Sequence, residues 1–258
     1  MSGDALEHVH LIAIAGTGMG ALAGLLHARG LRVTGSDRAL YPPMSEMLAA
    51  WEIPVALGFE ARNLEPRPDL VVIGNAVRAD NPEARAAIDG GIPYRSFPDA
   101  LYEFAMAGRH PVVVAGTHGK TTTTSLLGAL LAEVGLEPSV LVGGVALDFG
   151  GPFRDGAGPH FVVEGDEYDT AFFDKTPKFL HYHPRTLLLT SVEFDHADIY
   201  RDLEHVKDAF RALARGLPAD GAIVAALDDP DVCDALAGAP CRVVGYGLGD
   251  AEHGFRAV

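Results

Sequence analysis

Short apolar runs alternate with helix-like stretches along the first hundred residues, and glycine-rich or polar turns separate most of them. Helices are predicted at residues 21–29 and after Asn81, because Asn is a favourable N-cap and the following Pro82 suits the first helical position. Strand–helix alternation indicates a parallel sheet with crossover helices. The apolar runs predict strands at residues 9–15, 31–35, 69–74 and 91–94.

The second half of the chain repeats this alternation. Helices are predicted at residues 121–135 and 203–213, and the Gly- and Pro-rich stretch 145–160 is predicted to be a loop inside the second domain. We therefore predict an α/β protein of two domains, a Rossmann-like parallel-sheet domain at residues 1–108 and a second α/β domain at residues 109–258. Strands in this half are predicted at residues 111–115, 140–142, 160–164, 186–190, 222–226 and 255–258.

The charge balance excludes two classes of partner. The chain has 20 Lys and Arg against 35 Asp and Glu, a formal charge of −15. Nucleic-acid binders and proteins that dock on anionic membranes carry basic surfaces, so we expect neither partner. The first residues lack the pattern of a signal peptide, no apolar run approaches the length of a membrane helix, and the two cysteines, Cys233 and Cys241, have no metal-binding spacing. These features predict a cytoplasmic protein.

The strongest chemical motif follows the predicted strand 111–115 and opens the helix after it. Backbone N–H groups of such a glycine loop form a cradle for phosphate at a helix N-terminus. Lys120 would reach the β- and γ-phosphates, and the Thr121 hydroxyl would bind Mg²⁺. Val114 stands where the usual P-loop has its first glycine, so the loop is a variant. The predicted ATP-binding residues are Gly116, Thr117, His118, Gly119, Lys120, Thr121 and Thr122.

Two more polar groups follow predicted strands of the same sheet. Glu164 ends the run 160–164 and opens a stretch with four carboxylates, and His196 lies shortly after the run 186–190. The carboxyl ends of parallel strands face the ligand crevice, so Glu164 is a predicted Mg²⁺ ligand and His196 a predicted further metal contact. A solvated acidic loop and a surface histidine are the alternatives for these two residues when each is taken alone.

A second glycine loop follows the first predicted strand of the chain. Asp37 comes about 20 residues later, which is the spacing of a Rossmann fingerprint, although Ala21 replaces the last glycine of a strict motif. This pattern is weak evidence for a nicotinamide cofactor and better evidence for a diphosphate-containing nucleotide at a helix N-terminus. The loop consists of Gly16, Thr17, Gly18, Met19 and Gly20.

The pairing of these two loops resembles the Mur ligases of peptidoglycan synthesis, and within them the branch that recycles murein peptides. The resemblance extends over essentially the whole chain. Tyr168 and Ala197 favour this branch over the L-alanine-adding one, which usually has Ser and Met there. The stretches that carry the resemblance include residues 41–45, 74–76, 143–145, 166–175 and 193–198.

The resemblance implies a reaction and a set of ligands. UDP-N-acetylmuramate would bind the first domain, with its diphosphate near Gly18–Gly20 and further contacts from Asp37 and Asn75. ATP and Mg²⁺ would bind the second domain, where Thr121, Glu164 and His196 would hold the metal. The γ-phosphoryl would pass to the lactyl carboxylate, and the amine of the tripeptide L-Ala-γ-D-Glu-meso-diaminopimelate would then displace phosphate to form an amide. Catalytic roles fall to Lys120, Glu164 and His196.

The resemblance also implies a third, C-terminal domain for which this sequence has no counterpart. We therefore expect the chain to be a fragment that retains UDP-N-acetylmuramate binding without complete turnover. Alternative functions are an L-alanine-adding ligase of the same family, a P-loop kinase with a stable phosphoester product, and a nucleotide-binding module without catalysis. The sequence does not predict an oligomeric state.

Overall fold

A computed structural model describes residues 6–195, 197, 199–248 and 254–256 of the chain. The chain forms two compact units. Unit 1 comprises Met1–Ala105, Gly143–Asp155 and Asp169–Lys175, and unit 2 comprises Met106–Val142, Gly156–Tyr168 and Thr176–Val258. The predicted domains 1–108 and 109–258 are continuous, whereas unit 1 takes two segments from the second half of the sequence. A domain boundary at residue 108 therefore stays a prediction.

Unit 1 contains a parallel five-stranded sheet of the order β3-β2-β1-β4-β5. The central strand β1 has only buried residues, as expected for a strand covered on both faces. Its strands are β1 (His8–Ile12), β2 (Arg32–Asp37), β3 (Val55–Leu57), β4 (Leu70–Ile73) and β5 (Tyr94–Ser96). The α-helices of this part are α1 (Thr17–Ala28), α2 (Met44–Ala50), α3 (Pro82–Asp89) and α4 (Phe97–Leu101).

Local signals in the sequence explain where α3 begins. The Asn81 side chain accepts hydrogen bonds from the backbone N–H groups of Glu83 and Ala84, and Pro82 occupies the first turn, which confirms the predicted cap. The fully buried Glu83 carboxylate also accepts hydrogen bonds from His10 and Ser36. A buried carboxylate requires such partners, so the start of α3 is fixed to β1 and β2.

Unit 2 contains the parallel strands of an eight-stranded sheet, whose order is β15-β14-β13-β12-β6-β9-β7-β8. Residues 139–142 of β7 belong to unit 2, whereas residues 143–146 of β7 and the edge strand β8 (Gly151–Arg154) belong to unit 1. The parallel strands are β6 (His110–Ala115), β7 (Ser139–Ala146), β9 (His160–Gly165), β12 (Thr186–Leu189), β13 (Ala222–Ala226), β14 (Arg242–Gly247) and β15 (Gly254–Arg256). The α-helices are α5 (Lys120–Glu133), α6 (Leu203–Arg215) and α7 (Pro230–Ala235). Among the helices that the structure describes, none has the length and apolar character to cross a membrane.

The prediction of a loop over residues 145–160 is wrong. Strand β7 extends to Ala146, and a further strand β8 (Gly151–Arg154) follows within unit 1. The Phe153 ring packs edge-on against Trp51, with 5.5 Å between ring centroids, at the surface of α1 where Gly24 has no side chain. Arg29, the C-cap residue of α1, binds both carboxylate oxygens of Asp155. One aromatic ring and one ion pair fix this segment, and neither produces a periodic pattern in the sequence.

The predicted helix after the first glycine loop begins earlier than expected. It was predicted from residue 21, but α1 begins at Thr17 and includes Gly18 and Gly20. A Cβ atom on Gly20 would lie 2.1 Å from the Met44 sulfur, and one on Gly18 would lie 3.3 Å from the Phe97 ring. These glycines allow close packing of a helix rather than forming a loop. Short strands β10 (Asp169–Ala171) and β11 (Asp174–Pro177) pair with each other.

Candidate functional site

The loop between β6 and α5 adopts a conformation that requires glycine. Gly116 has φ +134° and Gly119 has φ +82°, a region that side chains disfavour. A Cβ atom on Gly116 would also lie 2.1 Å from the Thr190 hydroxyl and 2.9 Å from the backbone nitrogen of Ser191. No side chain caps the N-terminus of α5. The loop therefore presents a helix N-terminus suited to anions.

The residues after β12 determine the shape of this loop. Ser191 accepts a hydrogen bond from the Thr117 backbone N–H through its carbonyl, at 3.0 Å, and one from the His118 N–H through its hydroxyl, at 3.1 Å. The Thr117 hydroxyl bonds to the Glu193 backbone, donating to its carbonyl and accepting from its N–H. Sequence reasoning singled out this segment for His196 and did not predict that it braces the glycine loop. The parallel pairing of β6 with β12 was the missing information.

Lys120 makes three contacts through its ammonium group. Its Nζ donates to the carbonyls of Gly116 and Thr117, at 2.6 and 3.1 Å, and to a carboxylate oxygen of Glu167 at 3.0 Å. Glu167 is 2% exposed. It belongs to the acidic stretch that the sequence analysis noted, but it was not among the predicted site residues. Its partner is 47 positions away in the sequence.

Thr121 and Glu164 meet as predicted residues of one site. The Thr121 hydroxyl donates to a Glu164 carboxylate oxygen at 3.0 Å, at the carboxyl end of β9. Two oxygen donors this close fit Mg²⁺, which takes oxygen ligands and completes its shell with water and phosphate oxygens. Within the described part of the chain, no group of three or more His, Cys, Asp or Glu residues is arranged to hold a metal. His196 lies outside the described residues, so its role stays a prediction.

A cleft of about 450 Å³ in unit 2 surrounds the start of α5. The exposed imidazole of His118, which lines the cleft, lies 3.6 Å from the Glu193 carboxylate. Tyr182 is fully buried nearby, and burial, followed by the charges of Asp166 and Glu164, raises its pKa well above the usual value. The cleft is lined by Thr117, His118, Gly119, Lys120, Thr121, Thr122, Asp166, Glu167, Tyr168 and Asp195.

The predicted site residues of unit 1 lie at the carboxyl ends of β1, β2 and β4. Gly16 precedes α1, whose N-terminus has no side-chain cap. The Asp37 carboxylate accepts a hydrogen bond from the Ala15 N–H at 2.8 Å and so holds the chain before the helix. Asn75 is exposed in the turn after β4, whereas the Met19 side chain lies in the core.

Comparison with known proteins gives this arrangement a family. Residues 8–109 match the model of the Mur ligase family, catalytic domain, and residues 114–257 match that of the Mur ligase middle domain. The chain belongs to the Mur ligase family. The predicted α/β architecture, with a parallel-sheet N-terminal part followed by a Mur ligase middle domain, is confirmed.

Individual Mur ligases show how far the similarity extends. The chain is 46% identical over 216 residues to the UDP-N-acetylmuramate–L-alanyl-γ-D-glutamyl-meso-2,6-diaminoheptandioate ligase of Escherichia coli, covering 84% of this chain and 47% of the relative. It is 40% identical over 232 residues to the ligase of the same name from Haemophilus influenzae, covering 90% and 51%. The chain thus spans about half the length of the curated relatives it matches.

A solved structure shows the same similarity in three dimensions. The crystal structure of the UDP-N-acetylmuramate:L-alanyl-γ-D-glutamyl-meso-diaminopimelate ligase from Neisseria meningitides superposes with a TM-score of 0.89. Sequence identity is 42%, and the match covers 94% of this chain and 78% of that one.

Proposed function

We propose that this Mur ligase chain takes part in ATP-dependent amide-bond formation between UDP-N-acetylmuramate and the tripeptide L-Ala-γ-D-Glu-meso-diaminopimelate. The observation that carries the proposal is the cleft of unit 2, where Lys120 and the Thr121–Glu164 pair stand at a helix N-terminus. The names of the E. coli and H. influenzae relatives support this choice of substrates. A cytoplasmic location follows from the proposed use of ATP and a nucleotide sugar.

In the proposed reaction the lactyl carboxylate takes the γ-phosphoryl group of ATP and ADP leaves. The peptide amine then attacks the carbonyl carbon of the acyl phosphate, and the amide forms as inorganic phosphate and a proton leave. Carboxylate and polyphosphate repel each other, so the site has to supply positive charge where they meet. Lys120 would provide a charge-assisted hydrogen bond to the phosphates, and the N–H groups at the start of α5 would bind phosphate oxygens. Thr121, Glu164 and His196 would hold Mg²⁺, which would supply further positive charge.

For unit 1 we propose the binding of UDP-N-acetylmuramate. Its diphosphate would lie at the N-terminus of α1, against the backbone of residues 16–20, because this end carries the positive pole of the helix. Asp37 would act by holding Ala15 in place, and the exposed Asn75 would contact the nucleotide sugar directly.

Calorimetry on the chain tests the proposal. We expect UDP-N-acetylmuramate and Mg·ATP each to bind with one-to-one stoichiometry, and UDP-N-acetylglucosamine, which lacks the lactyl carboxylate, to support no chemistry. Hydroxylamine added with both substrates should trap an acyl phosphate as a hydroxamate. Folded protein that releases no heat with UDP-N-acetylmuramate would contradict the proposal.

A further inference from the structure

We propose that Glu167 is a positioning residue of the nucleotide site, whose carboxylate holds the Lys120 ammonium until a polyphosphate takes its place. This inference rests on the proposed binding of ATP at the glycine loop. It concerns a residue that the sequence motifs did not single out and that contacts the lysine, not the phosphates.

The Lys120 ammonium already has as many hydrogen-bond partners as it has N–H donors. A lysine ammonium has three N–H donors and no acceptor. Here three acceptors surround it, namely the carbonyls of Gly116 and Thr117 and the carboxylate of Glu167. A phosphate oxygen can therefore bind this ammonium only in exchange for one of the three. The carbonyls belong to the loop that would cradle the phosphate, so the Glu167 contact is the one whose exchange leaves the loop intact.

Glu167 is held in its position by burial and by a hydrogen bond to its backbone. Its side chain is 3% exposed, and that of Lys120 is 16% exposed. The buried Tyr200 hydroxyl donates to the Glu167 backbone carbonyl at 2.7 Å and so holds the residue from its backbone side. In such surroundings the Lys120 ammonium needs an anion beside it. The charge of a bound polyphosphate would satisfy Lys120 in place of Glu167.

The neighbouring residue offers a matched control. Asp166 forms an ion pair with Lys178, with 2.6 Å between the Lys178 Nζ and a carboxylate oxygen, and both carboxylates line the same cleft. Neutralising either residue removes one negative charge from the cleft. Only the neutralisation of Glu167 changes a partner of Lys120, so the two variants separate a local exchange from a general charge effect.

The first experiment needs no nucleotide. The chain is treated with formaldehyde and a mild reductant, and methylation of each lysine is followed by mass spectrometry. In Glu167→Gln we expect Lys120 to react roughly three- to tenfold faster than in the wild type, because a neutral amide holds an ammonium less firmly than a carboxylate. In Asp166→Asn the faster lysine should be Lys178. Equal Lys120 rates in the wild type and Glu167→Gln would overturn the inference.

The second experiment measures Mg·ATP affinity by calorimetry. Glu167→Gln should bind ATP roughly three- to tenfold more tightly than the wild type, because the phosphate no longer displaces a carboxylate. Asp166→Asn should change the affinity by less than about twofold, and Glu167→Asp, which keeps the charge, should stay near the wild type. An equal gain in Asp166→Asn, or weaker binding by a folded Glu167→Gln variant, would refute the exchange.

The two experiments also separate this inference from the proposed function. Wild-type protein that binds no ATP would contradict the function, whereas the methylation rates would still report whether Glu167 holds Lys120. Wild-type protein that binds ATP, together with unchanged methylation of Lys120 in Glu167→Gln, would leave the function in place and reject the inference.

Discussion

The two glycine-containing connections between a strand and a helix in this Mur ligase chain are alike in sequence but are held in place by different contacts. In both units a buried strand leads through a turn that contains glycine into a helix without a side-chain cap. Gly16 precedes α1 in unit 1, and Gly116 and Gly119 precede α5 in unit 2. Even the starts of the strands agree, because His8 of β1 and His110 of β6 each bond to a threonine hydroxyl of the neighbouring strand at 2.9 Å.

The difference lies in what holds each loop. Around α1 the glycines allow apolar contact with Met44 and Phe97, and one carboxylate, Asp37, fixes the preceding backbone. Around α5 the brace is polar, and the loop adds a lysine and a threonine with carboxylate partners. Under the proposed function, the first unit binds a diphosphate that stays intact, for which a packed helix end would suffice. The second loop would take part in phosphoryl transfer and would therefore also have to supply charge to the reacting groups.

The largest expected effect comes from removing the charge that only the second loop carries. Lys120→Met should weaken Mg·ATP binding by about 2–3 kcal/mol, because a charge-assisted hydrogen bond to phosphate is lost. UDP-N-acetylmuramate binding should stay unchanged, and calorimetry measures both. Lys175→Met, at an exposed lysine paired with Asp169, is the matched control and should affect neither ligand. A parallel loss of both ligands would mean that the loops do not act separately.

The first glycine of each loop provides the next test. Gly116→Ala should lower the free energy of unfolding by about 2 kcal/mol, since alanine is strained at φ +134° and meets Thr190 and Ser191. Gly16→Ala should cost less than about 0.5 kcal/mol, because Gly16 has φ −65° and the nearest atom to its added Cβ is 4.0 Å away. Urea unfolding measures both variants. Equal costs would show that the loops are under the same constraint.

A smaller effect is expected at the single carboxylate that braces the first loop. Asp37→Ala removes the acceptor for the Ala15 N–H and should weaken UDP-N-acetylmuramate binding by about 1 kcal/mol. Asp37→Asn retains an acceptor oxygen and should recover most of the affinity. Titration calorimetry distinguishes the variants, and Mg·ATP binding serves as the control. Full affinity in Asp37→Ala would remove Asp37 from the proposed site.

The smallest expected effect is a dependence of the free energy of unfolding on pH, to which one histidine of each unit contributes. Burial is the main cause that lowers the pKa of His8 and of His110. The unfolded chain therefore binds more protons than the folded one just below pH 6.5, so the free energy of unfolding should fall as the pH drops from 7.5 to 5.5. Urea unfolding at both pH values should show a shallower dependence in His8→Gln and in His110→Gln. A change in only one variant would confine the effect to one unit.

The sequence was sufficient for the local elements and insufficient for several contacts. Asn81 and Pro82 predict the start of α3, because an N-cap residue bonds to backbone groups within one helical turn. Residues 119–121 predict the glycine loop before α5 for a similar reason, because the residues that define such a motif are adjacent in the sequence. The loop wrongly predicted at residues 145–160 shows the opposite case, because Phe153 is placed by Trp51, about a hundred positions earlier. Gly18 and Gly20 likewise indicated a loop from the sequence. In the structure they are helical, and the lack of a side chain makes room for Phe97 and Met44.

By itself, the amino-acid sequence determined most of the alternation of strands and helices, the glycine loop before α5 and the polar side chains of Lys120, Thr121 and Glu164. Only the tertiary structure decided which distant groups complete that chemistry: Glu167 beside Lys120, and Ser191 and Glu193 behind the loop. The physical reason is that these contacts depend on the order and register of β9, β6 and β12 in one sheet. Packing of the whole unit sets that register, and no short stretch of sequence encodes it.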